Sequence, residues 1–157
     1  MPEYKFATGA LHLSGYLLDL LVQHCLAEAP FEACGVLSGS PGGWPQQWHP
    51  MVNALGSRVA YSFDRQAQLD LYRDLDAAGR VPLVVYHSHV NGIAVPSTTD
   101  ELMAHDPTIL HLIVALERVV AASVSGRSLV QSSAVRAWRI GGVSTEIPIQ
   151  LDTPVDT

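Results

Sequence analysis

The chain has 157 residues, of which 48% are apolar and 15% charged, and its net charge is −6. A sequence of this length is most simply one domain, long enough to bury about 70% of its unfolded surface. Nine Lys and Arg residues in total leave little from which to build a phosphate-binding patch, which argues against nucleic acid as a partner. Cys25 and Cys34 form neither a CxxC pair nor a disulfide framework. The apolar stretch at 16–22 is broken by Asp19, so neither a signal peptide nor a membrane span is predicted, and the expected location is cytoplasmic.

In chain order, leucines at 13, 17, 18, 20, 21 and 26 predict a helix over 11–28 that Pro30 stops, with His24 as a half-buried structural histidine. Residues 31–38 read as a strand entering a hairpin loop at Ser40-Pro41-Gly42-Gly43, with the returning strand at 46–53. Trp44 and Trp48, beside that turn, either contact a partner or shield the end of the sheet. Leu69, Tyr72, Leu75 and Ala78 recur at three-residue steps, predicting a helix over 64–79 closed by Gly79. A central strand over 81–87, a short helix over 97–105 and two strands at 109–116 and 119–124 follow. The last pair, 135–140 and 143–149, turns at Gly141-Gly142 as a hairpin. From Gln150 the chain reads as a frayed end, so 1–150 is taken as one domain and 151–157 as a flexible tail. The fold expected is α/β, a mixed, largely antiparallel sheet flanked by two main helices and one short helix at the site.

The chemistry concentrates at residues 87–100, HSHVNGIAVPSTTD. On a strand, residues i and i+2 face the same way, so His87 and His89 present two imidazoles together. If the loop over 90–96 folds back, the Asp100 carboxylate becomes a third ligand. Three protein ligands with one position open is the layout of a catalytic zinc site rather than a closed structural one. The pattern His-x-His-x7-Ser-x2-Asp should arise by chance in on the order of one chain in a thousand of this length. Ser97-x-x-Asp100 is also a capping box, and spacing alone cannot tell a cap from a ligand. The two histidines decide the assignment of Asp100 to the metal, because two imidazoles without a third ligand make a poor site.

Together with PFEACGVLSG upstream, this stretch resembles the JAMM (MPN+) metalloprotease family over roughly residues 10–150. The resemblance implies a cytidine-deaminase-like fold and one zinc ion per chain, with His87, His89 and Asp100 as its ligands. It further implies that Glu32 acts as general base and then general acid, and that the Ser97 hydroxyl steadies the oxyanion. Val90 stands where the family usually has proline, which puts the loop's shape in question rather than the ligand set. Family members cleave peptide or isopeptide bonds, and compact members release an amino acid from the C-terminus of a sulfur carrier. The expected partner is therefore a ubiquitin-like or sulfur-carrier protein with a glycine-rich tail, met beside a flexible loop at 90–96. Nucleic acid and membrane are not expected partners, and self-association as a homodimer is left open. Two alternatives are an inactive MPN scaffold and a RadC-like DNA-repair-associated protein, which resembles this chain only around the histidine motif. Ser88 is expected to point away from the metal, Cys34 to be a small buried hydrophobe, and His12, His49, His105 and His111 to be structural.

Overall fold

The computed structural model describes residues 9–152. In chain order its elements are β1 (Leu11–Ser14), α1 (Gly15–Glu28), β2 (Cys34–Gly39), β3 (Gln47–Met51), α2 (Arg65–Ala77) and β4 (Val81–His89), then α3 (Thr98–Met103), β5 (Leu110–Ala115), α4 (Leu116–Ser125), β6 (Val135–Gly141), β7 (Val143–Ile147) and β8 (Ile149–Asp152). A six-stranded sheet has the order β3-β2-β4-β5-β6-β7, and only its β4–β5 pairing is parallel. β1 and β8 form a separate parallel pair. The mixed, largely antiparallel α/β architecture expected from the sequence is the one present.

Strand alternation assigns the two faces of the sheet. Val84, Tyr86 and Ser88 of β4 point to one side, where Leu110, Leu112 and Val114 of β5 join them in a fully buried layer. Helix α1 lays Leu17, Leu18, Leu21, Val22 and Cys25 on this layer. Each such side chain contributes roughly 1.5–3 kcal/mol by leaving water, which outweighs local helix propensity. Val85, His87 and His89 point to the other side, beside His111, Ile113 and Ala115. This second face is the one that carries the two histidines singled out in the sequence. Among the described residues no helix is long and apolar enough to cross a membrane.

Several boundaries differ from the sequence expectation. Leu11 and Leu13 are both fully buried at a two-residue period, so they belong to β1, and α1 begins after Ser14, whose side chain accepts the Leu17 N–H at 3.1 Å. Residues 119–124 are helical, not a strand, because Leu116, Val119 and Ala122 are buried at three-residue steps and Gly126 closes α4 at φ 69°. Exposed Val120 and Val124 had suggested β structure, and the buried stripe overrides their propensity. Pro148, which lacks an N–H, divides β7 from β8. The expected frayed end at 150–152 is instead paired with β1 through Gln150, Leu151 and Asp152, and residues 153–157 of the expected tail lie outside the described residues. Finally, Glu32 lies just ahead of β2 rather than on a strand.

Tyr86 ties three elements together beneath the site. Its hydroxyl accepts the Trp48 indole N–H at 2.8 Å and lies 2.8 Å from His24 Nδ1. Trp48 therefore stands within β3 and packs against the core, and His24 is satisfied structurally, as expected. The ring lies over Gly35, its partner in the β2–β4 register, where any Cβ would run into it. Gly35→Ala should accordingly cost about 1–3 kcal/mol of stability as an overpacked core position, read as a lowered denaturant midpoint at unchanged slope.

Candidate active site

His87 and His89 end β4, and Asp100 sits in the first turn of α3. Between them the 90–96 loop is tied to the rest of the fold at two points. His89 Nδ1 lies 2.9 Å from the Ile93 carbonyl, and the Trp138 indole donates to the Ala94 carbonyl at 2.8 Å. Ala94 itself is fully buried in an apolar cluster with Ile113, Ala115, Trp138 and Ile140. Gly92, at φ 98°, makes the turn that brings the chain back. Ser97 and Asp100 then form a complete capping box, with Asp100 N–H to Ser97 Oγ at 3.1 Å and Ser97 N–H to Asp100 Oδ2 at 2.9 Å.

The same Asp100 Oδ2 lies 3.2 Å from His87 Nε2 and 3.1 Å from His89 Nε2, and the two nitrogens are 3.1 Å apart. Cap and convergence are thus one arrangement rather than alternatives. Edges of 3.1–3.2 Å belong to three corners of a tetrahedron whose centre is about 1.9–2.0 Å away, close to zinc–nitrogen and zinc–oxygen distances of about 2.0–2.2 Å. Because the Ile93 carbonyl can only accept, the His89 proton resides on Nδ1, leaving the Nε2 lone pair aimed at the centre. Nitrogen and oxygen acceptors so close together repel unless a cation or a shared proton lies between them. His87, His89 and Asp100 form a group able to hold a metal ion.

Glu32 is held by its backbone, through its N–H to the Ser57 carbonyl at 2.9 Å and its carbonyl to Asn53 Nδ2 at 3.0 Å. Its side chain is only 4% exposed, and Oε2 has no hydrogen-bond partner among the described residues, as is also true of His87 Nδ1. A buried carboxylate oxygen without a donor is costly to keep in a folded core. Burial pushes the Glu32 carboxyl up to about 7; His89 opposes the shift and Asp100 adds to it. Burial also lowers His87, against the pull of Asp100. In His89 burial is outweighed by Asp100, the Ile93 carbonyl and Glu32, so its pKa rises. Asp100 resists its own burial and stays far below the usual carboxylate range, because both imidazoles and the Ser97 N–H hydrogen-bond to it.

Other sequence candidates fall outside the donor group. Ser88 turns to the opposite face and accepts the Ala33 N–H at 2.8 Å. The Cys34 thiol is pushed up to about 12, first by burial and then by Glu32, so it stays protonated and acts as a small buried side chain. His49 bonds Ser38 Oγ at 2.7 Å. His111, buried beside His87 and lowered to about 4 mainly by that burial, stays neutral. Two neighbours escaped the sequence reading. Tyr61 stacks on the His87 ring at 4.6 Å and 26°, and Arg58 lines the cleft. Both stand on an irregular stretch with no periodicity, and only Asn53, whose side chain bonds Glu32, Ala60 and Ser62, hints that the stretch is fixed.

The raised His89 pKa has a direct consequence. A proton and a metal ion compete for the same His89 nitrogen, and Asp100 favours the protonated form. Affinity for zinc should therefore strengthen as pH rises from about 6 to 8, with net proton release at the lower end. Titration calorimetry in buffers of different ionisation enthalpy measures both; a pH-independent Kd without proton release is the contrary result.

A protein family and several known proteins resemble this chain. The family described as prokaryotic homologs of the JAB domain matches residues 15–141. The CysO-cysteine peptidase of Mycobacterium tuberculosis is 39% identical over 100 residues, spanning 63% of this chain and 68% of that protein. The desampylase of Haloferax volcanii is 33% identical over 109 residues, covering 66% and 78% respectively. A solution structure from Desulfitobacterium hafniense superposes with a TM-score of 0.76 at 27% identity, covering 93% of this chain and 95% of that one. The chain belongs to the prokaryotic JAB-domain family, as a compact member of the JAMM/MPN group.

Proposed function

We propose that this protein is a zinc-dependent peptidase that cuts at the C-terminal tail of a ubiquitin-like or sulfur-carrier protein. The single observation that carries the reading is the convergence of His87 Nε2, His89 Nε2 and Asp100 Oδ2 near a buried Glu32 carboxyl whose Oε2 has no partner among the described residues. Relatives named CysO-cysteine peptidase and desampylase support the hydrolase class and the kind of substrate. Both cysteines are buried and unbridged, which suits a reducing cytoplasm.

His87, His89 and Asp100 would hold the zinc ion, which supplies a Lewis acid and lowers the pKa of water to about 7. Glu32 then takes the proton from the attacking water. Its carboxyl, raised by burial, is poised to accept near neutral pH and to return the proton to the departing amine. The peptide C–N bond breaks, the acyl carbon gains the hydroxyl, and the amine leaves protonated by Glu32. Ser97 Oγ uses a lone pair to cap α3 by accepting the Asp100 N–H, and its own hydroxyl proton remains available for the oxyanion. A hollow of about 340 Å³ flanked by Phe31, Glu32 and residues 50–53 lies at the end of the edge strand β3. An extended tail can enter there by pairing its backbone with the free edge.

Two substitutions separate binding from chemistry. His89→Ala should abolish zinc binding, whereas Glu32→Gln should retain one zinc per chain and lose at least about a hundredfold in kcat, the range of a lost general base. Elemental analysis and intact-mass assay of a carrier tail read the two effects. A metal-free Glu32→Gln protein, or one of full activity, would show the roles to be wrongly divided.

A further inference from the structure

Beside the donor group lies a second, smaller hollow of about 170 Å³, whose lining includes Glu32, Arg58, His89, Asn91 and Ser97. An engineered protein cavity of about 150 Å³ takes one benzene, so this space suits a moiety the size of a single residue rather than a folded surface. Arg58 is its cation. The guanidinium stands 5.9 Å from the Phe31 ring centroid and, among the described residues, meets no carboxylate. The backbone beneath it is fixed, since Ser57 accepts the Glu32 N–H at 2.9 Å and Ala60 accepts from Asn53 Nδ2 at 3.0 Å. The segment that carries Arg58 is thus tied directly to the residue assigned as the base.

We infer that Arg58 binds the α-carboxylate of the residue released from the substrate, making this hollow a subsite for one C-terminal amino acid. The inference rests on the tail-trimming reading. When the leaving group is a terminal amino acid, its carboxylate carbon lies two bonds from the departing nitrogen. A cation that recognises it must therefore share a small hollow with the base and a metal ligand, as Arg58 does with Glu32 and His89. The planar guanidinium pairs with a carboxylate through two parallel N–H···O bonds, which fixes orientation as well as charge. In an isopeptide the departing nitrogen ends a lysine stem and has no carboxylate nearby, so Arg58 has nothing to pair with there. Arg58 is thereby a selector for terminal α-linked residues over side-chain conjugates.

The test uses a short peptide ending Gly-Gly-Ala, as free acid and as C-terminal amide, bound to the zinc-loaded Glu32→Gln protein so that turnover does not interfere. Alanine avoids a thiol that would itself seek the metal. The acid should bind roughly 10- to 100-fold tighter than the amide, the span expected for a charge-assisted pair. Arg58→Gln should collapse that ratio towards one, and Arg58→Lys should keep part of it. Equal affinities in the Arg58 protein, no binding of either peptide, or a preference that survives Arg58→Gln each overturn the inference. Failure of the underlying reading looks different: zinc-loaded wild type would then cut neither tail while the Arg58-dependent preference for the acid persisted.

Discussion

The structure depends on one constraint, that three electron-rich atoms from two elements must meet within 3.1–3.2 Å of one another. Strand alternation supplies two of them without further help, because His87 and His89 are two residues apart on β4. The third must travel back across the 90–96 loop, and most of the unusual local chemistry serves that return. Gly92 makes the turn, Ala94 is buried and held by Trp138, and Ile93 fixes the His89 tautomer. The capping box then sets Asp100 at the start of α3, so one carboxylate oxygen both completes the helix end and faces the imidazoles.

That arrangement is expensive for a metal-free protein. His87 is fully buried, and among the described residues its Nδ1 and the Glu32 Oε2 have no hydrogen-bond partner. Opposite the site, the sheet face is ordinary apolar core, with α1 packed on Tyr86 and its neighbours. The stable face therefore offsets the strained one, a division common where a fold positions a reactive group. A cation at the centre would pair the acceptors and remove much of the cost, which links metal binding to folding.

What could be read from the sequence followed from short-range rules. The histidine spacing, the capping box, the hairpins at 40–43 and Gly141-Gly142, and the helix around Leu69, Tyr72 and Leu75 all have local causes. The errors arose where tertiary contact decided. Residues 119–124 carry β-branched side chains, yet the buried stripe of Leu116, Val119 and Ala122 makes them helical. Leu11 and Leu13 alternate as a strand but adjoin a leucine-rich helix that masks the change of period. Glu32 lies ahead of β2 instead of on a strand, because its backbone bonds run to Ser57 and Asn53, far along the chain. Arg58 and Tyr61 had no local signal, since their positions come from that same irregular segment meeting the site.

The most direct measurement of the central claim is X-ray absorption at the zinc edge of the loaded protein. The account predicts a first shell of nitrogen and oxygen only, at about 2.0 Å, with the outer-shell scattering of two imidazoles. A sulfur scatterer at about 2.3 Å would bring Cys34 into the site, and the absence of imidazole scattering would remove His87 and His89 from it; either result contradicts the account.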